Sequence, residues 1–139
     1  MRVVFDTNVL VLYLMGEPAT SIVEAAFSGL PGEQLSFYYS EEMFQEYQNV
    51  LTGLTPRDPE TFSPEAMANV LTLVRRFGHQ VHPTDRLQVC SHAPDNRFLE
   101  CAVAAQADYL VTVNLKHFPA LYQGIKTLPP GRFYQILFE

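Results

Sequence analysis

Two short apolar runs, "RVVFD" at the start of the chain and "DYLVTV" near residue 110, constrain most strongly what this sequence can fold into. Each run is continuous and rich in Val, Leu and aromatic residues, which is typical of a strand covered on both faces in a parallel sheet. Parallel strands need crossover connections, and the segments between the two runs have helical periodicity. The sequence therefore predicts an α/β fold, a three-layer α/β/α arrangement with a central parallel sheet, in a single domain over residues 1–139.

The first half of the chain contains recognisable signals for each connecting element. A helical stripe of apolar residues runs over residues 22–30 and meets Gly29 and the turn "PGE". The segment "QLSFYYS" predicts a second strand. Ser40 is placed to cap the helix that begins "EEMFQEYQNVL", whose first turn carries two glutamates.

The second half contains the best delimited helix, which Ser63 caps and Gly78 ends, with Pro at its first position. A short strand is expected around Val81. The segment "HPTDRLQVCSHAP" has no clear period, and the Ala-rich segment "DNRFLECAVAAQA" predicts a helix leading into the strand "DYLVTV".

Composition narrows the classes of function. The net charge of −6 argues against a simple electrostatic nucleic-acid binder, but not against an enzyme whose carboxylates are neutralised by cations. Cys90 and Cys101 form no paired motif, so neither a disulfide framework nor a thiolate zinc site is indicated. No apolar stretch approaches the length of a membrane span and no leader pattern is present, so we expect a soluble, cytoplasmic chain with no membrane partner.

Several oxygen-bearing side chains are expected at one edge of the predicted sheet. Asp6 ends the first strand, Asp95 begins the helix before a later strand, and Asn114 follows "LVTV". Ligands of parallel α/β folds gather at the carboxyl ends of the strands, where residues distant in sequence converge. Glu46 lies on the border of its helix's apolar stripe, beside Val50, where a carboxylate can point into a neighbouring cleft.

Gathered carboxylates repel one another unless protons or cations neutralise them. Hard oxygen ligands favour Mg²⁺ or Mn²⁺ over zinc, and such sites hydrolyse phosphodiesters by activating water. Each residue also has a simpler interpretation. Asp6 is suited to start a turn or cap the next helix, Asp95 to be an N-cap, Glu46 to be a solvated flank and Asn114 to be a turn residue.

The ordered motifs of the chain resemble those of the PIN domain, and most closely those of stand-alone PIN proteins that are toxins of toxin-antitoxin pairs (VapC-like). The motifs are "VVFDTNVL", "YSEEMFQEYQNVL", "DNRFLECAVAAQADYLVT" and "VNLKHFP". The resemblance covers nearly the full chain. It implies a parallel sheet between helices, an acidic site for Mg²⁺ or Mn²⁺ and cleavage of single-stranded RNA. It also implies a cognate antitoxin partner and a homodimer.

By position, Asp6, Glu46 and Asp95 match the family's metal-coordinating acids, which makes them the predicted catalytic residues. Glu100 matches a glutamate of the subgroup but points away from Asp95 on an ideal helix, so a structural or supporting role is expected. Thr112 matches a polar residue at the strand end.

The chain departs from the resemblance in two places. Asn114 stands where the subgroup often has an aspartate, so it is predicted to be a fourth, uncharged and weaker metal ligand. Relatives often carry another aspartate before Asp95, and this chain has His92 nearby, which is interpreted as a surface loop residue. Lys116 and His117 are placed to approach a substrate phosphate or to form a solvated loop pair, and the second interpretation is preferred. Asp108 is interpreted as a turn residue between helix and strand.

Three hypotheses follow. The first is a metal-dependent ribonuclease using the predicted site. The second, motivated by Asn114, is a PIN-fold binding module that engages an antitoxin or RNA without cleavage. The third is a phosphatase of the haloacid dehalogenase type, which is disfavoured because its motif needs a second aspartate where Asn8 stands. A nucleoside triphosphatase is disfavoured by the absence of a Gly-rich phosphate loop.

Overall fold

A six-stranded sheet forms the centre of the protein, which is described here from a computed structural model covering residues 1–28 and 35–138. The strand order is β3-β2-β1-β4-β6-β5. All neighbouring pairs are parallel except β5, which runs antiparallel to β6. The strands are β1 (Arg2–Phe5), β2 (Ser36–Tyr39), β3 (His79–Gln80), β4 (Tyr109–Val111), β5 (Leu121–Tyr122) and β6 (Ile125–Leu128).

Helices cover both faces of this sheet, which confirms the predicted three-layer α/β/α fold. One group packs α5 against β1, β2 and β4, with α3 and α4 beside it, and a second group packs α1 and α6 around α2. The helices are α1 (Thr7–Leu14), α2 (Ser21–Ala26), α3 (Glu41–Leu54), α4 (Pro64–Phe77), α5 (Asn96–Ala105) and α6 (Pro130–Phe138). Three residues of β1, Val3, Val4 and Phe5, are fully buried, as expected for a strand covered on both faces.

The predicted caps form as expected. The Ser40 side chain accepts a hydrogen bond of 3.2 Å from the Met43 amide at the start of α3, and Ser63 does the same for α4. Gly78 ends α4 for a steric reason, since a Cβ there would lie 2.5 Å from the Val74 carbonyl oxygen and 2.7 Å from the Tyr39 ring. Its φ of −76° is ordinary, so close approach rather than backbone conformation requires glycine.

Other elements differ from the expectation. The strand expected around Val81 is β3, at His79–Gln80, and the Val81 amide extends the pairing by donating to the Tyr39 carbonyl. The strands β5 and β6 were not predicted from the sequence, and the tail that forms α6 is too short to assign by its period. The helix predicted over residues 22–30 corresponds to α2. Its predicted end at Gly29, the turn "PGE" and Gln34 lie outside the described residues.

Side chains of α5 fix the irregular segment 82–92. The Asn96 side-chain oxygen accepts hydrogen bonds from the Val89 and Cys90 amides, and the buried Glu100 carboxylate accepts one from the Leu87 amide. Glu100 also contacts the guanidinium groups of two arginines, Arg86 and Arg97. The structure thus gives Glu100 the supporting role that its helical position predicted.

Within residues 1–28 and 35–138, no single helix has the length and apolarity needed to cross a membrane. The sharply bent pair Thr7–Leu14 and Pro18–Ala26 meets the length and composition requirements jointly.

A buried hydroxyl connects α3 to the central strand. Tyr47 is fully buried and donates a hydrogen bond to the Phe5 carbonyl, and burial raises the pKa of the Tyr47 hydroxyl well above its ordinary value. The bond therefore joins a neutral donor to a strand carbonyl that has no access to water. Tyr47 follows Glu46 and Phe5 precedes Asp6, so this bond lies directly beside two predicted site residues.

We expect Tyr47→Phe to lower the free energy of unfolding by about 1–3 kcal/mol, because the Phe5 carbonyl is left without its buried donor. Urea denaturation measures the change. Tyr134→Phe is a matched control, because no hydrogen bond of its hydroxyl is found among the described residues, and it should shift stability by no more than about 0.5 kcal/mol. Equal effects of the two substitutions would contradict the prediction.

Candidate metal centre

A cleft of about 140 Å³ opens at the carboxyl ends of β1 and β4. All four predicted metal ligands line it, although they come from four separate parts of the chain. The lining residues are Asp6, Thr7, Asn8, Glu46, Val50, His92, Asp95, Phe98, Asn114 and His117. The strand ends and the border of α3 therefore converge as the sequence predicted.

Asp6 lies at the end of β1, with only 4 % of its surface exposed. One carboxylate oxygen accepts a 2.8 Å hydrogen bond from the Thr7 amide, which makes Asp6 the cap of α1. The other oxygen accepts a 2.7 Å hydrogen bond from the Thr112 hydroxyl, just beyond the end of β4. Asp6 therefore does cap the helix, as its simpler interpretation holds, but it also presents a carboxylate to the cleft.

Asp95 ends a 3₁₀ turn (Ala93–Asp95) directly before α5 and is 8 % exposed. Its side chain makes no capping hydrogen bond, so the interpretation as a simple N-cap is wrong. The Asp95 Oδ2 atom instead lies 2.9 Å from Nδ1 of His117 and 3.4 Å from Nδ1 of His92.

Glu46 and Asn114 occupy the rim of the cleft and are half-buried. Glu46 lines the cleft together with Val50, as its place on the border of the α3 stripe predicted. The Asn114 amide donates a 3.0 Å hydrogen bond to the Thr112 hydroxyl oxygen, so the same hydroxyl contacts both Asp6 and the Asn114 backbone.

The ionised form of Asp6 is electrostatically unfavourable in the cleft. Burial raises the pKa of Asp6 above its ordinary value, and the charge of Asp95 adds to the effect. The hydrogen bonds from Thr112 and Thr7, and the nearby His117, act in the opposite direction without cancelling it. A cation in the cleft would reduce the cost of keeping Asp6 ionised.

The donor set fits a hard divalent cation. Carboxylates and an amide oxygen line the cleft, and the buried Thr7 hydroxyl, also a lining residue, has no hydrogen-bond partner among the described residues. An orphaned buried hydroxyl beside carboxylates is a polar group that a hydrated ion would satisfy. The cleft thus offers the side-chain oxygens of Asp6, Glu46, Asp95 and Asn114 to a divalent cation.

His117 does not form a solvated pair with Lys116, because its half-buried ring contacts Asp95, a contact that was not predicted from the sequence. The 3₁₀ turn Leu115–His117 places the ring there. Lys116 is exposed, as expected for a loop residue. His92 is an exposed loop residue as expected, yet it also lines the cleft. The sequence did contain a signal for both histidines. His92 lies three residues before Asp95, and His117 lies three residues after Asn114.

Two further residues have the places that the sequence indicated. Thr112 is fully buried and orients Asp6 instead of lining the cleft. Asp108 accepts a hydrogen bond from the Arg2 amide at the opposite end of β1, as a turn residue between helix and strand.

Comparison with known families agrees with this geometry. A family model described as PIN domain matches residues 2–116, which span every predicted ligand. The chain belongs to the PIN domain family. PIN domains are generally metal-dependent nucleases, which supports a hydrolase in general. The PIN match ends one residue before His117, so that histidine lies outside the matched region. Among curated proteins, none matches the chain significantly.

We expect Thr112→Val to weaken Mn²⁺ binding by about 10- to 100-fold, because Asp6 loses the donor that orients its carboxylate. Isothermal titration measures the affinity. Thr127→Val makes the same substitution on the neighbouring strand β6, where the hydroxyl donates to the Pro119 carbonyl, and should leave the affinity unchanged. Unchanged Mn²⁺ affinity in Thr112→Val would show that this hydroxyl does not support the site.

Asp6 should also make stability depend on pH. Because its folded-state pKa is raised above 3.8, its contribution to stability is most favourable below pH 3.8 and is lost as the pH rises through the raised pKa. In chelator at pH 7, Asp6→Asn should therefore melt at a higher temperature than the wild type. The gap should narrow as the pH falls toward 3.8. Thermal unfolding followed by circular dichroism tests both expectations, and a variant less stable than wild type at pH 7 would contradict them.

Proposed function

We propose that this PIN domain is a metal-dependent endoribonuclease that cleaves single-stranded RNA. The observation that carries the proposal is the convergence of Asp6, Glu46 and Asp95 in one cleft at the carboxyl edge of the sheet. Asp6 and Asp95 are both buried, and neighbouring carboxylates repel one another unless a positive charge compensates them. Such a cluster suits chemistry in which a divalent cation is held beside a phosphodiester.

A bound Mg²⁺ or Mn²⁺ supplies water activation at neutral pH and stabilises negative charge on the phosphodiester oxygens in the transition state. In this proposal, Asp6, Glu46 and Asp95 hold the cation and are the catalytic residues. Thr112 keeps the Asp6 carboxylate oriented through its 2.7 Å hydrogen bond. Asn114 contributes its carbonyl oxygen as a weaker, uncharged or water-mediated fourth ligand.

In this proposal, binding of the RNA substrate also depends on the metal ion. The chain has a net charge of −6, and three carboxylates line the cleft. Like charges repel, so an RNA backbone is disfavoured until a cation neutralises the site. Substrate binding should consequently require the metal.

The biological role within this proposal is that of a VapC-like toxin in a toxin-antitoxin pair, acting in the cytoplasm. Its partners would be single-stranded RNA, a cognate antitoxin protein and a second copy of the chain in a homodimer. This part of the proposal is supported by the motif resemblance, above all by "VVFDTNVL" and the stretch from Asp95 through Thr112.

A second candidate function is favoured by Asn114, which offers an amide where an aspartate would add charge. In that case the PIN domain binds an antitoxin or RNA without cutting it. Titration with Mg²⁺ and Mn²⁺ discriminates the two, because a folded protein that binds neither ion fits the binding module and not the nuclease.

The decisive test is cleavage of a mixed single-stranded RNA pool with Mn²⁺, with Mg²⁺ and with chelator. We expect Asp6→Asn to lower the cleavage rate by at least about 10²-fold while the protein stays folded, because the site loses a ligand charge needed to activate water. Asp85→Asn, in the exposed loop 82–92, is the matched control and should cleave like wild type. Full activity of Asp6→Asn would refute the assignment, since contaminating nuclease would then account for the cutting.

A further inference from the structure

Two histidines approach one face of the proposed metal centre. Nδ1 of His92 and Nδ1 of His117 both lie near the same Asp95 oxygen, at 3.4 and 2.9 Å. One potential ligand atom from each of the three residues lies within 4.8 Å of the other two. The two imidazole rings stack with their centroids 5.4 Å apart and an interplanar angle of 28°.

We propose that His92, Asp95 and His117 form a nitrogen-containing cation position that binds a borderline transition-metal ion such as Zn²⁺ or Co²⁺ in preference to Mg²⁺. The inference rests on the proposed function, since Asp95 is shared with the carboxylate centre. Imidazole nitrogen suits zinc-class ions, whereas Mg²⁺ is held by oxygen and keeps most of its water. The two sides of Asp95 therefore differ in the metal that they favour.

The spacing of the three groups supports this position. With metal-ligand bonds of about 2.1 Å, neighbouring ligand atoms lie about 3.4 Å apart in a tetrahedral site and about 3.0 Å apart in an octahedral one. The distances of 3.4 and 2.9 Å from Asp95 to the two histidines lie in this range. All three ligand atoms lie within 4.8 Å of one another, which is close enough for one ion to draw them together.

Hydrogen bonds between side chains and the backbone fix the two segments that carry the histidines, independently of any ion. The Ser91 hydroxyl donates a 3.3 Å hydrogen bond to the Lys116 carbonyl, which joins the loop before His92 to the turn that carries His117. Asn96 fixes the same loop through the Val89 and Cys90 amides. The side chains of His92 and His117 are 59 % and 40 % exposed, so an ion has an open path from solvent. Such preorganisation lowers the cost of ordering the ligands.

A simpler role for the histidines is to orient Asp95 by hydrogen bonding. A ring nitrogen that binds Zn²⁺ changes its ¹⁵N resonance when the ion is added, whereas one that only donates a hydrogen bond to Asp95 does not coordinate the ion. The chain contains four histidines, so the imidazole region of a two-dimensional ¹H–¹⁵N spectrum contains four rings and is readily assigned by substitution. His79 and His82 are both exposed and do not line the cleft, which makes them internal controls.

The experiment is to titrate tag-free protein with Zn²⁺ and, in parallel, with Mg²⁺, following the ring nitrogens. We expect Zn²⁺ to shift the Nδ1 resonances of His92 and His117 and to leave the other two rings unchanged. Mg²⁺ should bind without a direct effect on either Nδ1. The double variant His92→Ala with His117→Ala should lose at least about tenfold more in Zn²⁺ affinity than in Mg²⁺ affinity, about 1.4 kcal/mol. His82→Ala is the matched control and should bind both ions like wild type.

The outcomes separate this inference from the proposed function. Binding of Mg²⁺ or Mn²⁺ that Asp6→Asn abolishes, together with unshifted histidines in Zn²⁺, would overturn the histidine position and leave the nuclease proposal standing. Zn²⁺ shifts at all four rings would also overturn it, as nonspecific binding. Histidine shifts in Zn²⁺ with no binding of Mg²⁺ or Mn²⁺ would support the nitrogen position and count against the nuclease. No binding of any of these ions by folded protein would overturn both.

Discussion

The buried carboxylate of Asp6 is the constraint on which the rest of the site depends. It stands at the end of β1, between β2 and β4, where solvent hardly reaches it. Two hydrogen bonds hold its oxygens, yet burial still raises its pKa. The fold thus maintains an ionisable group in an unfavourable environment, which is a cost in stability that a cation would relieve. A site of this kind gains binding strength for the ion from the same effect that weakens the empty protein.

The remaining acids depend on structure that is already present for packing. Tyr47 is buried in the core and donates a hydrogen bond to the Phe5 carbonyl, so the preceding residue, Glu46, is held where it lines the cleft. Asp95 is positioned because Asn96, its neighbour, ties the loop before it to α5. In both cases a buried residue next in sequence fixes the backbone, and the acid itself is left available for chemistry.

The sequence predicted the position of a site residue wherever that position followed from the periodicity of a strand or a helix. Continuous apolar strands predicted the parallel sheet, the ends of β1 and β4 located Asp6 and Asn114, and helical periodicity located Glu46. His117 was not predictable in this way, because its approach to Asp95 depends on a three-residue 3₁₀ turn with no period. Strands of two residues carry no internal period, so β3 was located only approximately, around Val81, and the antiparallel strand β5 was not predicted. Loop 82–92 is fixed by side chains bonding to backbone amides, a relation invisible in composition or spacing.

The way this loop is anchored bears on how the protein can evolve. The side chains of Glu100 and Asn96 accept hydrogen bonds from backbone N–H groups of the loop, those of Leu87, Val89 and Cys90. Every residue except proline offers the same donor. Anchoring therefore places little demand on the identity of the exposed Val89 side chain. Substitutions can accumulate along the loop while its path persists, and the path delivers residue 92 to the mouth of the cleft. A substitution at residue 92 would therefore change a side chain that lines the cleft without requiring changes in the core.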